Sequence, residues 1–185
     1  MDAAGELWRL LSTSDPVLLV IAGPNGAGKT TFFEASLERQ LRIPFVNADR
    51  IARTVRTGGG ADAKNEVAFR AAQLMREQLV ASRVTFCMET VFSDPVGDKL
   101  AFFRAAQAAG YVVSMVFIGL ASAELSARNL ACALRFLDQV IVLDNSAVVD
   151  LYREIAVFER GKAMWLAEEL PGWFQAIAKA SVRRR

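Results

Sequence analysis

The feature that most constrains this chain is the segment GPNGAGKT, residues 23–30, which follows the apolar run of residues 17–22. It matches the pattern G-x-x-x-x-G-K-[ST], in which glycines allow backbone N–H groups to turn inward around phosphates. The run before it has the length and the β-branched composition of a buried strand, and a helical pattern follows to about residue 39. A helix placed there directs the positive end of its dipole at the same anion. The segment therefore predicts a phosphate-binding loop, the P-loop, between a strand and a helix.

Two side chains of the P-loop have predicted roles of their own. Lys29 can reach the β- and γ-phosphates of a nucleotide, and the Thr30 hydroxyl is placed for Mg²⁺. Lys29 is accordingly a predicted catalytic residue. The full set predicted to bind the nucleotide in this segment is Gly23, Pro24, Asn25, Gly26, Ala27, Gly28, Lys29, Thr30 and Thr31.

Strand and helix patterns alternate along the rest of the chain. Strand patterns occupy residues 44–46, 83–88, 111–120 and 140–143, and helical patterns occupy residues 50–56, 64–81, 95–109, 122–128, 129–137 and 173–180. Residues 152–158 and 162–166 flank a Gly-containing turn and predict a C-terminal β-hairpin. The alternation predicts an α/β fold, the three-layer sandwich of P-loop NTPases, with a mostly parallel five-stranded sheet and helices on both faces. At 185 residues, a single domain over residues 1–185 is expected.

Composition excludes several function classes. The chain has no histidine, so Ser-His-Asp chemistry is excluded and a carboxylate is the natural general base. The net charge of +2 is too balanced to favour a nucleic-acid partner. Cys87 and Cys132 are isolated, which argues against a zinc or redox site. No membrane-spanning segment or signal peptide is recognisable, so we expect no membrane association and a cytoplasmic location.

Two carboxylates follow predicted strands. Asp49 comes after the second strand and Glu89 after the third, and ligands of open parallel sheets bind beyond these carboxyl ends. Asp49 is predicted as the catalytic base, and Glu89 as a metal ligand, direct or through water. Two alternatives remain open: Asp49 as the N-cap of the following helical turn, and Glu89 as a solvated strand end.

The segments GPNGAGKTT, VNADRIA and METVFS, in this order and spacing, resemble the zeta-toxin family of P-loop kinases. Members are the toxins of toxin–antitoxin pairs and phosphorylate UDP-N-acetylglucosamine. The resemblance extends over residues 17–146 and implies that Lys29 and Thr30 bind ATP and Mg²⁺. It further implies that Asp49 is the base on a sugar-nucleotide hydroxyl, and that substrate and metal contact Glu89, Thr90 and Ser93. Asn145 is expected near the adenine.

One family feature is missing from the sequence. Family members usually carry, after the fourth strand, a lid with a Gly-Gly-His segment and several arginines, whereas here residues 122–128 run directly into residues 129–137. Arg128 and Arg135 lie nearby in sequence but are interpreted as ordinary surface or helix arginines.

Three hypotheses therefore remain open. The chain is an ATP-dependent kinase of a small-molecule hydroxyl, by resemblance that of UDP-N-acetylglucosamine, or a nucleotide-binding module with weak or no catalysis. A polynucleotide kinase is disfavoured by the near-neutral charge. An antitoxin is a possible protein partner, with the predicted helix of residues 3–11 either docking it or covering the sheet edge.

Overall fold

The computed structural model describes residues 9, 11–56, 58, 60–92, 97–121 and 124–182. Its strands are β1 (Val17–Gly23), β2 (Phe45–Val46), β3 (Phe86–Val91), β4 (Val112–Gly119), β5 (Gln139–Asp144), β6 (Arg153–Glu159) and β7 (Lys162–Leu166). They form one sheet in the order β2-β3-β1-β4-β5-β6-β7. The first five of these strands run parallel, and β6 and β7 are antiparallel. The predicted α/β sheet is thus confirmed.

Six helices are described. Helix α1 begins at Lys29–Phe32, continues through a π-helical turn at Phe33–Leu37 and ends with Glu38–Leu41. The others are α2 (Ala48–Thr54), α3 (Ala61–Ala81), α4 (Asp98–Ala108), α5 (Glu124–Ala133) and α6 (Gly172–Val182). None of the helices described here is both long and apolar enough to cross a bilayer.

The prediction of five strands was wrong, because the sheet has seven. The predicted hairpin exists, but its first strand pairs antiparallel with β5 and so extends the sheet. Every residue of β5 is buried, which an unpaired edge strand would not allow. The hairpin therefore covers an edge that would otherwise expose apolar side chains and unpaired backbone groups.

Two boundaries also differ from the predictions. Strand β3 ends at Val91 rather than at residue 88, because β1 continues to Gly23 and provides ladder partners for Glu89 and Thr90. The two helical segments predicted at residues 122–128 and 129–137 are one helix, α5, followed by a turn. The helix predicted at residues 3–11 falls largely outside the described residues.

Helices cover both faces of the sheet, as predicted. On one face α1 packs against β1 through Phe32, Phe33 and Leu37. On the other face α3, α4, α5 and α6 contribute buried side chains to the larger core, among them Ala72, Phe103, Leu130 and Phe174. The P-loop, between β1 and α1, therefore lies at the carboxyl edge of a sheet that is fixed by packing from both sides.

Candidate functional site

The P-loop adopts the strand–loop–helix arrangement that its sequence predicts. Asn25 and Gly26 lie exposed at its tip, while Ala27 is buried. Gly28 precedes α1 with a φ of 79°, and a Cβ on it would stand 2.5 Å from the Tyr152 hydroxyl oxygen. Only glycine meets both conditions, the left-handed backbone and the close approach. The loop conformation thus depends on this position.

Two side chains from the segment between β5 and β6 support the P-loop. The Tyr152 hydroxyl donates to the Gly28 carbonyl at 2.9 Å, and Asn145 Nδ2 donates to the Ala27 carbonyl at 3.2 Å. The Tyr152 backbone N–H donates to Asn145 Oδ1 at 3.2 Å. Asn145, which is predicted to lie near the adenine, is thus placed against the loop itself. Tyr152 is a residue that sequence reasoning missed, since no motif includes it.

Lys29 is held inside the site. Its Nζ donates to the Pro24 carbonyl at 2.9 Å and lies 3.9 Å from Glu89 Oε1, and only 6% of its side chain is exposed. Burial lowers the pKa of Lys29, and the negative charges of Glu89 and Asp49 oppose this shift. The ammonium is therefore a poorly hydrated cation between the P-loop and two carboxylates.

Glu89 is the centre of a hydrogen-bonded cluster. Its Oε2 accepts from Thr30 Oγ1 and from Asn47 Nδ2, both at 2.7 Å, and 10% of its side chain is exposed. The alternative that Glu89 is a solvated strand end is therefore wrong. Sequence-distant residues Lys29, Thr30, Asn47 and Glu89 meet here because β1 and β3 are neighbours in the sheet.

The donor set fits Mg²⁺. A hydroxyl and a carboxylate, from Thr30 and Glu89, are the hard oxygen ligands that this ion prefers. In the described part of the chain no three acidic, cysteine or histidine side chains cluster as a metal cage. Kinase sites commonly bind Mg²⁺ through one or two protein groups together with substrate phosphates. Thr30 and Glu89 are the residues that would hold it here.

Asp49 does not cap a helix. Asn47 caps α2, because its Oδ1 accepts from the backbone N–H groups of Asp49 at 2.8 Å and of Arg50 at 3.0 Å. Asp49 instead lies exposed in the first turn of α2, where its charge acts on Lys29. Asn47 was missed as a site residue, although an asparagine just before a helical turn is a typical N-cap signal.

Beside the P-loop a cleft of about 700 Å³ opens, which we call the Glu89 cleft. Its walls come from β3, α2, α3 and α4, and its lining includes Asn47, Asp49, Phe69, Gln73, Arg76, Glu77, Glu89, Thr90, Asp98, Lys99 and Phe102. Thr90, a predicted substrate-binding residue, is buried in this lining, and its hydroxyl donates to the Val91 carbonyl at 3.2 Å. Ser93 lies outside the described residues.

The lid arginines have no counterpart among the described side chains of this site. Helix α5 passes through residues 128 and 129 without an insertion. Arg135 lines a different cavity, of about 520 Å³, together with Gly161 and Lys162 of the hairpin turn. Glu159 pairs with Gln139 at the start of β5. This cavity therefore lies at the amino end of β5, whereas the P-loop lies at the carboxyl end of β1.

Comparison with known proteins agrees with this geometry. The family model described as Zeta toxin matches residues 3–164. No curated protein matches the chain. The structure is similar to that of the PezAT chromosomal toxin–antitoxin system of Streptococcus pneumoniae, with 12% identity and a TM-score of 0.60 over 98% of this chain and 93% of that chain. It is also similar to the AvrRxo1-ORF1:-ORF2 complex with ATP, with 12% identity and a TM-score of 0.59 over 94% of this chain and 66% of that chain.

At such identities the two structures establish the fold, and the family model establishes the relationship. In this fold the parallel strands have the order β2-β3-β1-β4-β5, and the P-loop follows β1. With most of its length matched by the family model, this chain belongs to the zeta toxin family and shares its kinase-like nucleotide-binding character.

Proposed function

We propose that this protein is an ATP-dependent phosphotransferase that phosphorylates a hydroxyl group of a small molecule, by family resemblance UDP-N-acetylglucosamine. One observation carries the proposal: the exposed Asp49 and the largely shielded Glu89 line a single cleft of about 700 Å³, and the P-loop cation Lys29 lies 3.9 Å from Glu89. Ligand clefts commonly measure about 300–1,000 Å³. That a structurally similar complex was solved with ATP supports ATP as the phosphoryl donor.

The nucleotide side of the site comes from the P-loop. Its backbone N–H groups and the Lys29 ammonium would hold the β- and γ-phosphates, and the predicted contacts of Gly23 to Thr31 and of Asn145 belong to this part of the proposal. Thr30 and Glu89 would hold Mg²⁺, which when bound neutralises charge on the phosphate oxygens. Because Lys29 is already buried, its charge acts at low effective dielectric.

The acceptor side comes from Asp49. Its exposed carboxylate would remove the proton of the acceptor hydroxyl as the hydroxyl oxygen bonds to the γ-phosphorus and the bond from phosphorus to the ADP oxygen breaks. The positive charge of Lys29 would stabilise the negative charge on the transferring group. Thr90, and Ser93 beyond the described residues, are the proposed further contacts of the acceptor.

A product assay tests the proposal. The protein, ATP and Mg²⁺ are incubated with single sugar nucleotides, and the products are separated and identified by mass. We expect UDP-N-acetylglucosamine to gain one phosphate and ATP to become ADP, and Lys29→Ala to abolish both changes. ATP turnover with no phosphorylated acceptor anywhere in a broad panel of hydroxyl compounds would contradict the proposal.

The continuity of α5 supports a second candidate, a nucleotide-binding module with weak or no catalysis. Lid arginines contribute orders of magnitude to phosphoryl-transfer rates where they occur. The two candidates differ in turnover: kinases typically work at about 1–100 per second, and a binding module retains nucleotide affinity with no such rate. Single-turnover and steady-state measurements on the same acceptor separate them.

An antitoxin is the proposed protein partner, since PezAT is by its description a toxin–antitoxin system. We also propose a cytoplasmic location, because ATP is available there and the two cysteines are unpaired. Expression of the chain alone should arrest growth of a bacterial host, and Lys29→Ala should relieve the arrest. Undisturbed growth at a verified level of folded protein would argue against a toxin with this partner.

A further inference from the structure

Arg76 of α3 lies in the lining of the Glu89 cleft and is half-buried. Its guanidinium carbon is 5.8 Å from the centroid of the Phe102 ring of α4, a distance typical of a cation–π contact. Burial lowers the pKa of Arg76, and the neighbouring Glu77 opposes the shift. The side chain is therefore a partly desolvated cation held against an aromatic face inside the candidate substrate site.

Within the described part of the chain this guanidinium has no hydrogen-bond or ion-pair partner. The nearest acid in sequence, Glu77, accepts instead from Gln73 Nε2 at 3.0 Å. Arg70, six residues earlier on the same helix, shows the ordinary alternative: it is exposed and pairs with Glu66 at 2.6 Å. Among the described residues, then, nothing occupies the donors of Arg76, although it is the more buried of the two.

A desolvated charge is costly unless it is paired. The planar guanidinium matches phosphate oxygens with two parallel hydrogen bonds, and its stacking on Phe102 orients the donors. We propose that Arg76 binds an anionic phosphate group of the acceptor, so that the protein selects phosphate-bearing hydroxyl compounds over neutral ones. This inference rests on the proposed function, because it assigns the Glu89 cleft to the acceptor.

Because the lining of the cleft is mostly acidic, binding of an anionic acceptor there should depend on Arg76. Four carboxylates line the cleft, those of Asp49, Glu77, Glu89 and Asp98, against the two cations of Arg76 and Lys99. The cleft as a whole therefore does not attract anions, and recognition of one depends on a local contact. Loss of that contact should affect a phosphate-bearing acceptor strongly and a neutral sugar hardly at all.

Binding measurements test this assignment independently of turnover. The P-loop is first filled with a non-hydrolysable ATP analogue and Mg²⁺, and UDP-N-acetylglucosamine, inorganic pyrophosphate and neutral N-acetylglucosamine are then titrated by calorimetry. Arg76→Gln should weaken binding of the two phosphate-bearing probes by about 10- to 100-fold. Arg76→Lys should lie between it and the unchanged protein, and binding of the neutral sugar should not change.

Arg70→Gln is the matched control, because it removes an exposed arginine from the same helix, and it should leave all affinities unchanged. Urea unfolding of each variant separates a role in α3–α4 packing from a role in binding. Equal affinities of Arg76→Gln and the unchanged protein for the phosphate-bearing probes would overturn the assignment. The assignment would also be overturned if neither phosphate-bearing probe bound to the unchanged protein.

Failure of the assignment is distinguishable from failure of the proposed function. If UDP-N-acetylglucosamine binds through Arg76 but gains no phosphate from ATP, the proposed transfer is wrong and the anion site stands. If transfer occurs and its KM does not change in Arg76→Gln, the transfer stands and the anion site is wrong.

Discussion

Asn47 connects two parts of the candidate site through the two ends of one amide group. Its Oδ1 caps α2, which carries Asp49, and its Nδ2 donates to Glu89 at 2.7 Å. Only 4% of the residue is exposed, so both bonds are shielded from water. The distance between the proposed base and the proposed metal ligand therefore depends on a residue to which we assign no chemistry.

Replacing Asn47 should separate these two roles. Asn47→Ser keeps a capping oxygen but loses the donor to Glu89, and we expect it to lower the free energy of unfolding by about 0.5–1.5 kcal/mol. Asn47→Ala loses the cap as well and should cost about 0.5–2 kcal/mol more. Urea denaturation measures both values. Equal losses in the two variants would show that the cap contributes nothing.

Lys29 should give the nucleotide-free protein a pH-dependent stability. Burial lowers the pKa of Lys29 in the folded protein below the usual value of 10.5. At a pH between the folded and the unfolded pKa, the unfolded chain therefore holds more protons than the folded chain. Stability rises with pH under that condition. We therefore expect the unfolding free energy of the unchanged protein, relative to Lys29→Met, to increase as the pH rises from neutral towards 10.5. Urea denaturation at several pH values measures it, and a constant difference would contradict the burial of a charged Lys29.

At the level of elements, one indole ring of α6 makes a close contact with the ends of β4 and β5. Trp173 Nε1 donates to Asp144 Oδ1 at 3.0 Å at the end of β5, and its ring lies over Gly119 at the end of β4. A Cβ on Gly119 would stand 2.1 Å from the indole. The glycine is needed for the approach of the helix.

Gly119→Ala should therefore destabilise the protein by about 1–3 kcal/mol, the usual effect of overpacking. Gly172→Ala is the control, since nothing lies within 4 Å of a Cβ at that position in α6. We expect the control to be neutral or slightly stabilising, because alanine favours helix. Thermal and urea unfolding compare the two; an unchanged Gly119→Ala protein would mean that α6 does not pack as described.

The β6–β7 hairpin also brings Tyr152, just before β6, to the P-loop. Tyr152→Phe keeps the ring against Phe32, 5.2 Å between centroids, but loses the donor to Gly28. We expect a loss of about 0.5–1.5 kcal/mol in unfolding free energy and weaker ATP binding, because the loop carbonyl loses its support. Calorimetric titration with ATP measures the second effect.

Tyr111→Phe is the matched control for that variant. Its hydroxyl shares one hydrogen between the Leu79 and Val84 carbonyls, at 2.8 and 2.9 Å, in the core beside α3. Stability should fall by a similar amount while ATP affinity stays the same. If ATP affinity does not fall in Tyr152→Phe, the phenol does not hold the P-loop in its binding conformation.

For the molecule as a whole, the sequence predicts those features that depend on residues close together in the chain. The P-loop, the hairpin turn and the order of strands and helices have local patterns, so all were predictable. The pairing of β6 with β5 was not, because a hairpin has two possible partners at a sheet edge. Tyr152 and Gly28 are 124 residues apart, and the roles of Asn47 and Arg76 likewise appear only when α2, β3, α3 and α4 meet around one cleft.

The fold also indicates which site residues should contribute most to the proposed phosphate transfer. In the proposed transfer, with no lid inserted in α5, charge on the transferring phosphoryl group would be offset mainly by Lys29 and by the ion that Thr30 and Glu89 would hold. We assign proton removal in the proposed transfer to Asp49, since the chain has no histidine. We therefore propose that the transfer depends on one exposed carboxylate, that of Asp49, beside one buried ammonium, that of Lys29.

Phosphate transfer from γ-labelled ATP to UDP-N-acetylglucosamine, measured for the unchanged protein, Asp49→Asn and Asp62→Asn, tests this claim most directly. Asp62 is an exposed acid in the first turn of α3 and outside the cleft lining. We expect Asp49→Asn to lower kcat by about 10²–10⁴-fold with unchanged ATP affinity, and Asp62→Asn to transfer phosphate normally. Transfer by Asp49→Asn at a rate close to that of the unchanged protein would contradict it.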